Sequence, residues 1–201
     1  RSTMQEAIAA PNVGGIVRLI GFILKTALAV EMLGAVLLFP GFYREFGLIK
    51  GAWYALFHSI SAFCNAGFDL MGMKAPFSSL TDYSADPAVS IVIALLIVVG
   101  GIGFLTWEDI RTNRLHFHRY RMQSKVILSV TAALIFIPTV YFFFFEFAQF
   151  PMGERILLSV FQAITPRTAG FNTADLTAIS ETGQSITTIL MLIGGSPRST
   201  A

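Results

Sequence analysis

The chain has 201 residues, of which 54% are hydrophobic and only 13% charged, with nineteen phenylalanines and a formal net charge of +2. A soluble domain carries charge on about a quarter of its residues, so this composition excludes an ordinary soluble fold and points to a bilayer as solvent. The near-balanced charge gives no reason to expect a nucleic-acid partner, and the single cysteine, Cys64, excludes an intrachain disulfide framework.

Residues 1–15 form a polar lead-in, expected on the cytoplasmic side and lacking the apolar core of a signal peptide. The abrupt polar start and the Gly/Ser/Pro/Thr-rich finish read as an internal piece of a longer protein. Residues 16–39 are apolar but interrupted by Lys25 and Glu31. Crossing the hydrocarbon core takes about 20 apolar residues, so this stretch is a candidate span, with Lys25 placed to extend its amine to the surface. A carboxylate at the depth of Glu31 costs about 2.5–3.5 kcal/mol on insertion scales. It reads either as an ion-path residue or, more plainly, as a glutamate protonated or hydrogen-bonded between helices.

A shorter apolar stretch, 52–63, is about half a bilayer long and ends in Cys64-Asn65-Ala66-Gly67-Phe68. Residues 87–107 carry no charge and are the clearest predicted span. Residues 108–125 then set Arg111, Arg114, Arg119, Arg121 and Lys125 against Glu108 and Asp109, which makes this loop cytoplasmic by the positive-inside rule. Residues 40–86 and 146–183 fall on the outer side. Residues 126–145 form another uncharged span, in which Pro138 predicts a kink. A second half-length stretch, 156–164, ends in Thr165-Pro166-Arg167-Thr168-Ala169-Gly170-Phe171. The apolar stretch 184–197 is too short to cross and runs into the helix-breaking Gly194-Gly195-Ser196-Pro197.

The two Ala-Gly-Phe triplets lie 103 residues apart, and the long spans before them align at nearly the same offset. The chain thus reads as a duplicated unit of membrane helix, half-helix, loop and membrane helix. Irregular backbone at membrane depth survives only when buried in protein or lining a water-filled cavity. In a pore its carbonyls replace the hydration shell of a cation, and glycine permits the backbone angles that turn them inward. The C-terminal ends of the half-helices add partial negative charge. A site built without acidic side chains suits a monovalent cation better than Ca²⁺ or Mg²⁺. The plainer reading is that these glycines merely turn the chain.

Other residues carry paired readings. Arg167, after the second half-helix, is expected to clamp the loop from behind rather than meet a cation. His58 is expected to hydrogen-bond behind the first loop. His116 and His118 read as surface facing headgroups or a partner rather than a metal site. Asp69, Asp82, Asp86 and Asp175 form either a cation-attracting mouth or a solvated surface. Neither a catalytic pair nor a nucleotide site is expected, because Gly100-Gly101-Ile102-Gly103 ends a membrane span.

The segments 59–68, 162–173 and 191–201, in this order, resemble the Trk/Ktr/HKT superfamily of potassium transporters, and most of all the KtrB membrane subunits of bacterial Ktr uptake systems. The resemblance extends over essentially the whole chain. It implies an all-α membrane fold of four helix/pore-loop/helix repeats around a pseudo-fourfold pore, of which 16–107 would be the second and 126–201 the third. It implies that Asn65, Ala66, Gly67 and Phe68, with Thr168, Ala169, Gly170 and Phe171, contribute two quarters of a selectivity filter for K⁺, the transported ion, with no organic cofactor. Gly194, Gly195, Ser196, Pro197, Arg198, Ser199, Thr200 and Ala201 would begin an intramembrane gating loop, Arg198 standing where the family commonly has glycine. A homodimer in the bacterial plasma membrane, seated on a KtrA-like cytosolic nucleotide-binding ring and contacting it through 108–125, is implied. Alternatives are a Trk-type subunit with different regulation or sodium permeability, and a broken-helix secondary transporter, which would show inverted repeats.

Overall fold

A computed structural model describes residues 13–73, 78–114 and 116–195, with side chains from residue 17 onward. All regular structure among these residues is helical. Helix α1 (Val13–Phe63) has two arms that meet at Gly47, whose φ of 73° only glycine adopts freely. The second arm, 48–63, is the first predicted half-helix, extended back to this break. There follow α2 (Pro87–Gly101), α3 (Phe104–Asn113), α4 (Met122–Tyr141), α5 (Met152–Ile164) and α6 (Glu181–Ile193). Val17–Phe63 and Met122–Glu146 are long and apolar enough to cross a membrane, and α2 with α3 makes a third such segment if counted as one broken span.

The helix starts follow local chemistry. Asp86 accepts from the N–H groups of Ala88 and Val89 at 2.9 and 3.3 Å, with Pro87 in the first turn of α2. Ser180 caps α6 by accepting from Gly183 N–H at 3.1 Å, and is itself held through its N–H by Glu146 at 3.1 Å. The start of α4 is set from a distance. Asp109, only 4% exposed, accepts from the Arg121 N–H at 3.0 Å and the Ser124 hydroxyl at 2.6 Å. The Arg121 guanidinium lies 3.5 Å from the same carboxylate, so its negative charge faces a helix N-terminus, where it is favoured.

Two expectations change here. Residues 87–107 do not form one straight span: α2 ends at Gly101, and α3 leaves at 95°. Gly103, at φ 88°, makes the corner, and the Trp107 indole donates back to the Val99 carbonyl at 2.9 Å, satisfying an end-of-helix acceptor. The segment 108–125 therefore opens as helix rather than loop. Pro138 sits inside a helix that runs on, and the irregularity falls just beyond it. Residues Phe142–Glu146 form a π turn, closed by the Phe147 N–H donating to the Phe142 carbonyl at 2.9 Å.

The main core lies where both arms of α1 pack on α2 and α2 packs on α5, around Leu38, Phe42, Phe63, Ile93, Phe161 and Phe171. Helices approach closely at Gly34, where a Cβ would lie 2.3 Å from the Ser59 hydroxyl oxygen. A smaller cluster of Phe142, Phe147, Leu158 and Leu190 joins α4, α5 and α6. Leu24, Leu28 and Val36 on α1, Phe136 and Ile137 on α4, and Phe144 in the π turn stay exposed, as apolar membrane helices require.

Candidate functional site

The site is built by the ends of two short helices, the 48–63 arm and α5. After Phe63 the chain folds under its own last turn: Cys64 N–H donates to Ile60 O at 2.8 Å, Asn65 N–H to Ala62 O at 3.1 Å, and Ala66 N–H to Ser61 O at 2.9 Å. Asn65 and Gly67 take left-handed backbone angles, φ 51° and 70°. After Ile164 a 3-10 turn (Thr165–Arg167) does the same work, with Ala169 and Gly170 N–H donating to Thr165 O at 3.1 and 3.0 Å, and Gly170 at φ 84°.

A hydroxyl near each helix end then fixes the outgoing strand. Ser61 Oγ donates to Phe68 O at 2.7 Å, and Thr165 Oγ1 donates to Phe171 O at 2.7 Å. The N–H groups of Ala66, Ala169 and Gly170 are thus used inside their own loops, and the Phe68 and Phe171 carbonyls are taken by the two hydroxyls. The carbonyls of Ala66, Gly67, Thr168, Ala169 and Gly170 accept no hydrogen bond among the described residues. Unpaired carbonyls at the negative ends of two helices form a surface suited to a dehydrated cation.

The loops touch. Thr168 Oγ1 donates to Asn65 Oδ1 at 2.5 Å, a bond between residues 103 apart in sequence, which is the offset of the two triplets. A Cβ on Gly67 would lie 1.7 Å from Ala169 O. Beside them, Asp69, Ser78, Ser79, Gly170 and Asn172 line an open cavity of about 300 Å³.

Behind the first loop, His58 is fully buried and stacked on Phe42, with ring centroids 5.0 Å apart. Its Nε2 accepts from Leu70 N–H at 3.4 Å and its Nδ1 lies 2.7 Å from Tyr54 O, so the proton belongs on Nδ1 and the ring is held as one tautomer. Glu31 packs on the same helix end: its backbone carbonyl accepts from Ser59 Oγ at 2.6 Å, and its carboxylate faces Cys64 Sγ at 3.7 Å. Behind the second loop, Arg167 reaches the Gly194 carbonyl through Nε at 3.3 Å.

Asn65, Ala66 and Gly67 thus come together with Thr168, Ala169 and Gly170. The two phenylalanines part: Phe171 is buried in the core and Phe68 is exposed. Gly194 ends α6 at φ 64°. Gly195 follows it, and Ser196, Pro197, Arg198, Ser199, Thr200 and Ala201 lie outside the described residues. The acidic mouth does not assemble as a group of four. Only Asp69 lines the cavity, whereas Asp86 caps α2 and Asp175 accepts from Thr177 N–H and hydroxyl at 2.9 and 2.7 Å. These hydrogen bonds hold the Asp175 carboxyl below the usual range. Sequence reasoning missed Ser61 and Thr165. Their signal is a hydroxyl in the last turns of each half-helix, seven and six residues before the phenylalanine.

The profile of the TrkH family, described as a cation transport protein, matches residues 2–201. The chain belongs to the TrkH family. Among its relatives, the potassium/sodium uptake protein NtpJ of Enterococcus hirae is 38% identical across 100% of this chain and 44% of its own length. The Ktr system potassium uptake proteins B of Bacillus subtilis and Vibrio alginolyticus are 34% and 36% identical, covering 100% and 99% of this chain and 45% of theirs. This TrkH chain therefore spans less than half the length of the curated relatives it matches.

Proposed function

We propose that this chain supplies two of the four sides of a potassium-selective pore in the membrane subunit of a Ktr-type uptake system. One observation carries the reading: two Ala-Gly-Phe loops, each at the end of a short helix, lie in contact, and their Ala and Gly carbonyls accept no hydrogen bond among the described residues. The relatives named as Ktr potassium uptake proteins support potassium as the cargo. In this reading the protein is multi-pass in a bacterial plasma membrane, with 108–125 cytoplasmic and both loops opening outward. The Asn65–Phe68 and Thr168–Phe171 segments are filter elements, and Gly194–Ala201 begins the gating segment, to which Arg167 is tied.

Potassium and sodium flux into liposomes containing the full-length protein, with Gly67→Ser and Gly170→Ser variants, tests this. Weakened potassium selectivity in either variant supports the filter. Unchanged selectivity in both would make the loops plain turns. A second reading, passage of sodium as well as potassium, is favoured by the name of the Enterococcus relative, and the same assay separates the two.

A homodimer seated on a nucleotide-binding ring is part of the proposal. Arg121 is committed to Glu108 and Asp109, at 2.9 and 3.5 Å, which leaves exposed Arg119 as the better candidate for ring contact. Arg119→Gln should weaken co-purification with the ring. Undiminished co-purification would remove this loop from the interface.

A further inference from the structure

The corner at Gly103 folds α3 beneath the start of α1, and between them lies a groove that the pore does not use. Its wide part, about 730 Å³, is lined by Arg18, Lys25 and Arg111. Its inner part is a slot of about 390 Å³ with almost wholly apolar walls, among them Val30, Trp107 and Ile110. Phe22, Thr26 and Arg111 line both parts, so basic mouth and apolar slot are continuous. The Arg111 guanidinium stands 4.9 Å over the Phe22 ring at their junction. Arg18, Lys25 and Arg111 are exposed and make no ion pair with an acidic side chain among the described residues, whereas Glu108 and Asp109 are taken up by Arg121.

Depth completes the argument. Glu31 touches the end of the 48–63 arm, which lies near mid-membrane. At 1.5 Å per residue, Lys25 is about 9 Å and Arg18 about 20 Å further along α1, which brackets the headgroup boundary of a leaflet whose hydrocarbon is about 15 Å deep. Three cations at headgroup depth above an apolar slot match an amphiphile with an anionic head and hydrocarbon tail. We infer that this groove binds an anionic phospholipid of the cytoplasmic leaflet, with the phosphate between Arg18, Lys25 and Arg111 and an acyl chain in the slot. The leaflet follows from the topology proposed above, but lipid binding is read independently of ion flux.

The test titrates fluorescently labelled phosphatidylglycerol onto detergent-solubilised full-length protein, with unlabelled phosphatidylglycerol, phosphatidylcholine and inorganic phosphate as competitors. Saturable binding, displaced by phosphatidylglycerol and not by phosphatidylcholine, is expected. Each of Arg18→Gln, Lys25→Gln and Arg111→Gln should weaken binding about fivefold, and the triple variant about a hundredfold. Thr26→Trp, which fills the slot and keeps all three charges, should weaken it as well. Equal competition by phosphatidylcholine, displacement by inorganic phosphate alone, or unchanged binding in the triple variant would overturn the proposal. Absence of saturable binding to the full-length protein would also do so, showing the groove covered by protein.

Discussion

Phe68 is 71% exposed and Phe171 fully buried, although each closes an Ala-Gly-Phe triplet at the end of a short helix. The glycines before them differ as sharply. A Cβ on Gly67 would collide with Ala169 O at 1.7 Å, whereas one on Gly170 meets nothing within 4 Å among the described residues. The first loop is held by leaning on the second. The second is held from behind, by Phe171 in the core and by the outer segment of the first half, where Leu80 N–H donates to Asn172 O at 2.8 Å and Asn172 N–H to Ser79 Oγ at 3.1 Å. The shared triplet specifies a backbone path, and the neighbours decide what fixes it in place.

The largest expected effect tests this asymmetry directly. Gly67→Ala requires the first loop to move off Ala169, and potassium flux through the full-length protein should be lost. Gly170→Ala adds only the strain of a left-handed non-glycine residue, about 1–2 kcal/mol, and should retain measurable flux. Equal damage from both would erase the distinction. A smaller effect concerns the bond between loops. Thr168→Val and Asn65→Ala each remove one partner, and a net hydrogen bond contributes about 0.5–1.5 kcal/mol. Thermal unfolding of both single variants and the double variant should show coupling of that size, whereas additive losses would mean that the loops touch without supporting each other.

The smallest effect lies in the segment that braces the second loop. Burial, aided by Asp82 and Asp86, pushes the Tyr83 phenol from its ordinary value near 10 up to about 12, and the phenol donates to the Glu45 carboxylate. The folded state thus prefers the protonated phenol, whose contribution is complete below pH 10 and declines as pH rises toward 12. Melting temperature should fall across that window, and Tyr83→Phe should flatten the fall. An equal slope in the variant would place the loss elsewhere.

Much of this arrangement was legible in the residues. Apolar length marked the helices, and the paired triplets located the loops, because glycine at fixed spacing reports backbone angles. The corner at Gly103 was half legible. Its glycine run signalled an end, but the uncharged stretch beyond it, through Trp107, carried the predicted span too far. Nothing in sequence reveals that Trp107 turns back to serve the Val99 carbonyl. Asp109 stood in the sequence only as one of two negative charges set against the basic residues, because its use depends on Arg121 and Ser124 folding against it. Asp86 and Asp175 were open to a capping reading, from Asp-Pro at a helix start and Asp with Thr two residues on. The contact between the loops was not legible, since a repeat offset says that two segments are alike and not that they meet.

The lean of Gly67 on Ala169 also orders events in synthesis. The first loop emerges from the ribosome some hundred residues before the carbonyl that supports it, and Leu80 likewise waits for Asn172, 92 positions later. The first half therefore reaches the membrane unfinished, and its loop takes its final shape only once the second half has been inserted beside it. Contacts of such long sequence separation are slow to form, so any nascent chain stalled between these points carries an unsupported loop.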